Sequence, residues 1–268
     1  MNSGQTLVDM DRKAPPLFSS LLALLRRAPR SALELALPRL TEAAPDFNAA
    51  DRALMARVRP YTMTSMERVT ALSHAVRYLV RARIPGAIAE CGVWKGGSVM
   101  AVALTLIELG EVRDLFLFDT FDGMTPPTDR DITYAGVPAA ELLASPTGRM
   151  RCDAAMDQVR RALVSTGYPM DRVHLIPGRV EDTVPAEAPD RLALLRLDTD
   201  FYASTSHELV HLYPRLSPGG VLILDDYGAW QGARQAVDEY FQDAAVLMHR
   251  LDWTGRLVMK PSGTETHA

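Results

Sequence analysis

Residues 87–98 read AIAECGVWKGGS, and this pattern is the strongest indication of the fold. The first five residues form a short, largely apolar run that is typical of a buried strand. Glycines then open a tight turn, where backbone without side chains can approach a ligand closely. A helical pattern begins at Ser98, so the stretch predicts a strand, a ligand-binding turn and a helix in succession.

Strand and helix patterns alternate along the rest of the chain. Apolar runs predict further strands at 114–118, 173–176, 192–197 and 221–224. Helical spacing of apolar residues predicts helices at 66–83, 98–109, 152–165, 203–212 and 231–241. Two last strand-like runs, 246–251 and 256–259, are separated by a turn. This order predicts an α/β fold, with a mostly parallel sheet covered by helices on both faces and an antiparallel C-terminal hairpin.

The composition is that of an ordinary folded protein. Of its 268 residues, 47% are hydrophobic and 23% are charged. A net charge of −4 argues against nucleic acid as a partner, and two cysteines predict neither a disulfide framework nor a zinc site. The leucine-rich segment 18–37 is interrupted by three arginines, so it is too charged to span a membrane. We therefore expect a cytoplasmic protein with no membrane partner.

Acidic residues near the predicted strand ends indicate a nucleoside pocket. The dinucleotide fingerprint G-x-G-x-x-G is absent, because Trp94 stands where its second glycine would be. Glu90, before the turn, favours a ligand with positive charge, such as a sulfonium or an α-amino group. Asp119 can accept hydrogen bonds from both hydroxyls of a ribose, and Asp182 can receive an adenine amino group. A cap or turn role is the alternative for Asp119 and Asp182.

Four more carboxylates follow two neighbouring predicted strands. Asp198 and Asp200 come after one strand, and Asp225 and Asp226 come after the next. Like charges at one sheet edge cost free energy unless a cation or protons neutralise them, and Mg²⁺ prefers such oxygen ligands. In extended backbone, Asp198 and Asp200 would point to the same side. The alternative is two solvated acidic turns.

The motifs resemble those of the TylF/MycF family, the macrocin-type sugar O-methyltransferases of antibiotic biosynthesis. The resemblance covers about residues 60–241. It rests on TMTSMER at 62–68, ECGVWKGGS at 90–98, FDTFDGM at 118–124, RLDTDFY at 196–202, SPGG at 217–220 and DDY at 225–227. It implies a Rossmann-like, seven-stranded class I methyltransferase fold that binds S-adenosylmethionine and Mg²⁺ or another divalent cation.

The resemblance also implies residue roles. Asp198, Asp225 and Asp226 would hold the metal, and Asp200 would be the general base. Thr64 and Ser65 would lie near the methionine carboxylate of the cofactor. The other implied cofactor contacts are Glu90, Gly92, Ser98, Asp119, Thr120, Phe121 and Asp182. Thr199 stands where glycine is often found in the family.

The resemblance defines the acceptor site less well than the cofactor site. Residues 1–60 depart from the family, and they would form an irregular or helical segment that covers the acceptor site. The methyltransferase domain would span 61–262, followed by a tail at 263–268. The long loop 121–149 is expected to act as a lid. The expected partners are a small-molecule acceptor and further copies of the same chain in a homo-oligomer.

We expect the acceptor to be a sugar hydroxyl of a glycosylated natural product. A phenol, a catechol or another non-sugar natural-product hydroxyl is the alternative acceptor. Two other classes of protein fit the pattern less well. The missing dinucleotide fingerprint argues against a nucleotide-binding oxidoreductase, and the complete aspartate set argues against a non-catalytic nucleotide-binding protein.

Overall fold

The computed structural model describes residues 46–145 and 152–262. The helices are α1 Ala49–Val58, α2 Met66–Arg81, α3 Gly97–Glu108, α4 Ala139–Leu143, α5 Met156–Val164, α6 Val180–Thr183, α7 Tyr202–Leu212 and α8 Gln231–Phe241. The strands are β1 Ala87–Cys91, β2 Leu115–Asp119, β3 Val173–Pro177, β4 Leu192–Leu197, β5 Leu216–Leu224, β6 Met248–Arg250 and β7 Arg256–Met259.

The seven strands form one sheet in the order β3-β2-β1-β4-β5-β7-β6. Strands β1 to β5 pair in parallel, and β7 runs antiparallel to both of its neighbours. The predicted mostly parallel sheet and its antiparallel C-terminal hairpin are therefore confirmed. Because the strand order reverses between β1 and β4, this sheet offers a ligand crevice at the carboxyl ends of those two strands.

The core lies on both faces of the central strands. Every residue of β4 is buried, which is the pattern of a parallel strand covered on both sides. One group of helices, α1, α2, α3 and α5, packs together, and α6, α7 and α8 form a second group. An apolar cluster that includes Leu195, Leu209 and Leu222 joins β4 and β5 to the second group.

Two predicted elements begin several residues away from their predicted starts, and the predicted loop contains local structure. Strand β5 begins at Leu216 rather than at 221, because Leu216 pairs with Leu192 of β4 and the pairing resumes at Val221 after an irregularity at the Ser-Pro-Gly-Gly stretch, where Gly219 has a φ of +76°. Helix α5 begins at Met156 rather than at 152. The described part of the predicted loop contains α4 and short bridges from Ile132 to Pro138 and from Thr133 to Trp230.

The first strand approaches β4 closely where the ligand crevice opens. Gly92 has a φ of +80°, and a Cβ atom there would lie 2.0 Å from the backbone oxygen of Asp198. The amide of Asp198 in turn donates to the carbonyl of Cys91 at 2.9 Å. Glycine is therefore required at this position for steric reasons as well as for the turn.

Three regions of the chain lie outside the described residues. Residues 1–45 contain most of the segment that we expect to cover the acceptor, residues 146–151 include the end of the predicted loop 121–149, and 263–268 are the expected tail. Among residues 46–145 and 152–262, no helix has the length and apolar character needed to cross a bilayer.

Candidate active site

A cavity of about 450 Å³ lies at the carboxyl ends of the central strands. This is where ligands bind in open α/β sheets, and the volume is in the range of small-molecule sites. Nine of the candidate residues line it: Thr64, Gly92, Ser98, Asp119, Thr120, Asp198, Asp200, Asp225 and Asp226. Four others are absent from the described lining: Ser65, Glu90, Phe121 and Asp182.

Asp119 organises the glycine turn at one end of the cavity. Its Oδ2 atom accepts hydrogen bonds from the backbone amides of Val93 at 2.6 Å and Trp94 at 2.9 Å. Its Oδ1 atom accepts from the amide of Phe121 at 2.8 Å. Trp94 and Phe121 both have positive φ angles, of 46° and 53°, so the carboxylate stabilises strained backbone beside the cavity. Asp119 therefore stabilises the turn and lines the cavity at the same time.

The turn after β3 brings Glu181, rather than the candidate residue Asp182, to the cavity. Asp182 is exposed in the short helix α6, whereas Glu181 lines the cavity. Glu181 Oε1 lies 3.4 Å from the guanidinium of Arg179, and Glu181 Oε2 is buried with no hydrogen-bond partner. An adenine amino group can donate to such an oxygen, so Glu181 joins Asp182 as a candidate for this contact.

A buried arginine lies beneath the cavity and was missed by the sequence reasoning. Arg196 in β4 donates to Glu90 Oε1 at 2.6 Å, to Asp198 Oδ2 at 2.7 Å and to Asp225 Oδ1 at 2.6 Å. Its Nη2 atom also donates to Thr64 Oγ1 at 3.3 Å. Burial raises the pKa of Glu90 to about 7, against the opposing effect of Arg196. Glu90 thus contacts the arginine, and its contact with the cofactor stays a prediction.

The start of α2 connects to the C-terminal hairpin through a second arginine. Arg68 lines the cavity and forms ion pairs with Asp225 and, at 2.9 Å, with Asp252. Ser65 caps α2 by accepting from the Arg68 amide, and its hydroxyl donates to Asp252 Oδ2 at 2.7 Å. Ser65 is therefore a structural residue in this arrangement, and Thr64 is its neighbour that faces the cavity.

Three aspartates converge at the other end of the cavity. One carboxylate oxygen from each of Asp198, Asp225 and Asp226 lies within 4.8 Å of those of the other two. Burial raises the pKa of Asp198 and of Asp226 well above the usual range, and neighbouring carboxylates raise both further. Burial acts in the same direction on Asp225, but the guanidinium groups of Arg196 and Arg68 outweigh it and lower the pKa.

The donor set fits a divalent cation. All three converging groups are carboxylates, which are the ligands that hard cations such as Mg²⁺ prefer. Burial and the neighbouring carboxylates raise the pKa values of Asp198 and Asp226 even with Arg196 and Arg68 nearby. A cation among them would remove this repulsion, which protons must otherwise remove.

Asp200 is held differently from the extended geometry that we expected. Its φ is +66°, a left-handed conformation, so the extended-strand argument for its direction is wrong. Its amide donates to Asp226 Oδ2 at 3.1 Å, and its Oδ1 accepts from the Trp230 indole at 2.7 Å. Burial, with the charge of Asp198, raises the pKa of Asp200 to about 7. A carboxylate with this pKa beside a cavity is suited to accept a proton near neutral pH.

The amino-acid sequence of this chain is similar to those of known O-methyltransferases. The family model described as Macrocin-O-methyltransferase (TylF) matches residues 16–260. Mycinamicin III 3''-O-methyltransferase of Micromonospora griseorubida is 36% identical over 182 residues, which are 67% of this chain and 70% of that protein. The 8-demethyl-8-(2,3-dimethoxy-alpha-L-rhamnosyl)-tetracenomycin-C 4'-O-methyltransferase of Streptomyces olivaceus is 36% identical over 204 residues, 71% of this chain and 72% of that protein.

Solved structures agree with the fold. The O-methyltransferase NovP superposes with a TM-score of 0.65 at 29% identity, covering 75% of this chain and 83% of that one. The calicheamicin methyltransferase CalS11 superposes with a TM-score of 0.60 at 19% identity, covering 87% and 93%. The second likeness concerns the fold alone.

Proposed function

The chain belongs to the macrocin O-methyltransferase (TylF) family of S-adenosylmethionine-dependent enzymes, and we propose that it methylates a sugar hydroxyl of a glycosylated natural product with the help of a divalent cation. The family resemblance of the sequence motifs is thereby confirmed. The observation that carries the proposal is the convergence of Asp198, Asp225 and Asp226 beside Asp200 at one end of the cavity.

The similar proteins support a sugar acceptor. The name of the Streptomyces olivaceus relative describes methylation of a compound that carries a rhamnosyl group. A sugar hydroxyl is a weak nucleophile because its proton leaves only at high pH, so a base and a cation both help it to react. The acidic end of the cavity offers candidates for both tasks.

In this proposal, one end of the cavity binds the cofactor and the other end binds the cation. At one end, Asp119 and the glycine turn would hold the nucleoside of the cofactor, with Glu181 or Asp182 at the adenine. At the other, Asp198, Asp225 and Asp226 would hold the cation. Bound S-adenosylmethionine supplies an electrophilic methyl group, and a divalent cation lowers the pKa of a neighbouring alcohol.

Asp200 would accept the proton of the acceptor hydroxyl as the oxygen–methyl bond forms. The indole of Trp230 donates to one of its carboxylate oxygens at 2.7 Å and fixes the orientation of the group. Arg196 and Arg68 hold Asp225 from both of its oxygens, which keeps this carboxylate ionised. These contacts support the proposal, because they would hold the proposed base and ligands in position before a substrate binds, as efficient proton transfer requires.

The proposal is tested by methyl transfer with the full chain. We would incubate it with methyl-labelled S-adenosylmethionine, Mg²⁺ and either a panel of deoxysugar glycosides or catechol, and locate the label by mass spectrometry. We expect label on a sugar hydroxyl, and we expect EDTA to abolish transfer while cofactor binding by calorimetry persists. Labelling of catechol alone would contradict the sugar acceptor, and full activity in EDTA would contradict the metal.

A further inference from the structure

A buried carboxyl group with one unpaired oxygen lies beneath the turn that carries the proposed base. Glu208 belongs to α7, is fully buried and lies outside the described cavity lining. Its Oε2 atom accepts a hydrogen bond from the Thr199 hydroxyl at 3.1 Å, whereas its Oε1 atom has no hydrogen-bond partner among the described residues. An unpaired buried oxygen costs free energy, so it is unusual in a folded protein.

The surroundings of Glu208 keep its carboxyl group neutral. Burial raises its pKa well above the usual value, against the opposing effect of the hydrogen bond from Thr199. The neighbouring carboxylates of Glu181 and Asp226 raise the pKa further. A neutral carboxyl group does not repel the aspartates of the cavity, so Glu208 acts on its neighbours through its hydrogen bond and its shape.

Glu208 contacts the ends of the two strands between which the cavity opens. One contact is Thr199, which stands between Asp198, a proposed metal ligand, and Asp200, the proposed base. The other is the thiol of Cys91, the last residue of β1. Burial raises the pKa of this thiol, and the neighbouring Glu208 raises it further. The carbonyl of Cys91 accepts from the Asp198 amide at 2.9 Å, so β1, β4 and α7 are joined beneath the cavity.

The backbone next to Thr199 is strained and is held by several contacts. Asp200 has a φ of +66°, which residues other than glycine adopt rarely. The carbonyl of Thr199 accepts from the Phe201 amide at 2.8 Å, and the Ser204 hydroxyl donates to the carbonyl of Phe201 at 3.1 Å. Strained backbone persists only where the surrounding structure holds it in place, so the bond from Thr199 to Glu208 contributes to the conformation of this turn.

The turn is held on two sides. On the cavity side, the indole of Trp230, which lines the cavity, donates to Asp200 Oδ1 at 2.7 Å. On the interior side, Glu208 accepts from the side chain of the residue before Asp200. If the interior contact is lost, the turn can relax, and Asp200 then moves relative to the indole.

Two other roles for Glu208 fit the structure less well. A further metal ligand would have to reach the cavity, and Glu208 lies outside its described lining. A role in stability alone does not account for the carboxyl group, because an apolar side chain of similar size would fill the same space without an unpaired oxygen.

We propose that Glu208 is a positioning residue for the proposed base: it holds the Thr199 hydroxyl from beneath and so fixes the turn that directs Asp200 into the cavity. This inference rests on the proposed function, in which Asp200 accepts the proton of the acceptor. Thr199 stands where the family often has glycine, so the contact is a feature of this chain that the resemblance does not imply.

The experiment uses variants of the full chain that separate shape from hydrogen bonding. Glu208→Gln keeps the shape and can still accept from the Thr199 hydroxyl, whereas Glu208→Leu fills the space without accepting. Thr199→Val removes the donor, and Thr199→Ser keeps it. The matched control is Thr105→Val, because the Thr105 hydroxyl is also buried, donates to the carbonyl of Ala101 at 2.8 Å and lies outside the described cavity lining.

The first measurement follows the position of Asp200 without any acceptor. The indole N–H signal of Trp230 is recorded by ¹H–¹⁵N NMR and is assigned by its absence in Trp230→Phe. We expect it to shift in Glu208→Leu and in Thr199→Val, because the carboxylate to which the indole donates then moves. It should keep the position of the parent protein in Glu208→Gln, Thr199→Ser and Thr105→Val.

The second measurement compares turnover with stability, using the deoxysugar glycoside that the parent protein methylates. Turnover should fall about 10- to 100-fold in Glu208→Leu and in Thr199→Val, because a displacement of about 1 Å can cost about 10²-fold in rate. The double variant should lose no more than Glu208→Leu alone, and the dissociation constant of S-adenosylhomocysteine should stay the same in all variants. Glu208→Leu should not lower the melting temperature, because it removes an unpaired buried oxygen. A purely structural residue would lose stability and turnover together.

Three results would overturn the inference. The first is an unchanged Trp230 signal in both Glu208→Leu and Thr199→Val. The second is a shifted signal with unchanged turnover. The third is a loss of turnover in Glu208→Gln as large as in Glu208→Leu, since the acidic proton of Glu208 would then matter rather than its hydrogen bond. If the Trp230 signal shifts as expected but the parent protein methylates no glycoside, the proposed function fails, whereas the contact between Glu208 and the turn stands.

Discussion

The two ends of the cavity are built on opposite physical principles. At the glycine-turn end, the carboxylate of Asp119 accepts hydrogen bonds from three backbone amides. At the acidic end, burial raises the pKa values of Asp198 and Asp226, and neighbouring carboxylates raise them further. The carboxylate at the first end is satisfied by hydrogen bonds, whereas the carboxylates at the second end repel one another when they are ionised.

This difference suits the glycine-turn end to binding the cofactor and the acidic end to the reaction itself. A well-satisfied turn provides a fixed surface for a nucleoside, and its loss should weaken binding. A crowded group of carboxylates is costly in a folded protein, and such groups are typical of sites where a cation or a moving proton completes the arrangement. Substitutions at the two ends should therefore change different measured quantities.

The largest effect is expected for Asp200→Asn at the acidic end. Asparagine keeps the shape and can still accept the hydrogen bond from Trp230, but it cannot take up a proton. We expect turnover to fall by about 10²–10⁴-fold, the usual effect of removing a general base. Affinities for the cofactor and for Mg²⁺ should stay close to those of the parent protein. Steady-state kinetics with calorimetry on the same samples measure both.

Asp198→Asn is the matched control for this prediction. It removes a proposed metal ligand two residues away, so it should raise the Mg²⁺ concentration needed for half-maximal turnover. A magnesium titration of both variants separates the two roles. If excess Mg²⁺ rescues Asp200→Asn and fails to rescue Asp198→Asn, the assignments of base and ligand must be exchanged.

A smaller effect, on binding, is expected for Asp119→Ala at the glycine-turn end. The change removes three backbone contacts and would also remove the proposed charge-assisted hydrogen bonds to a ribose. We expect cofactor binding to weaken by about 2–3 kcal/mol, roughly 30- to 150-fold in the dissociation constant. Isothermal titration with S-adenosylhomocysteine gives this value. Turnover at saturating cofactor should fall much less than in Asp200→Asn.

Asp122→Ala serves as the control for Asp119→Ala. Asp122 is exposed in the same segment and is not part of the described cavity lining, so its removal should leave binding unchanged. An unaltered dissociation constant for a folded Asp119→Ala protein would rule out the ribose contact.

The sequence is sufficient to predict the sheet and the two ends of the cavity, because both depend on local patterns. Apolar runs mark the strands, and the acidic residues that follow them lie at one sheet edge by the geometry of parallel strands. The charge network below the cavity depends on contacts between distant segments, such as Arg196 with Glu90 and Arg68 with Asp252. Those partners are not visible in a local pattern.

One signal in the sequence did point to the hidden network. Arg196 interrupts the apolar strand Leu192–Leu197, and a charge buried in a central strand must be paired. The pattern could not show that Asp200 adopts a left-handed backbone or that Glu181, rather than Asp182, lines the cavity. Both features depend on the conformation of a turn after a strand end. In such a turn, a change in the backbone angles of one residue changes which side chain faces the cavity.

The smallest expected effect concerns Ser65, which the family resemblance assigns to the cofactor and the structure connects to α2 and Asp252. Its hydroxyl accepts from the Arg68 amide at 3.2 Å as a helix cap and donates to Asp252 at 2.7 Å. Loss of such a cap costs about 1 kcal/mol, or about 2–4 °C in melting temperature for a domain of this size. We expect Ser65→Ala to show this loss while the dissociation constant of the cofactor stays the same.

A second helix cap makes the test of Ser65 specific. Asn48 caps α1 with its side chain and lies outside the described cavity lining, so Asn48→Ala should lower the melting temperature by a similar amount. If both variants lose stability and neither loses cofactor affinity, Ser65 belongs to the scaffold between the two ends of the cavity. If Ser65→Ala alone weakens cofactor binding and its melting temperature is unchanged, the hydroxyl must turn from Asp252 to the cofactor when it binds. The glycine-turn end would then extend to the start of α2, and Arg68 would connect the two ends directly.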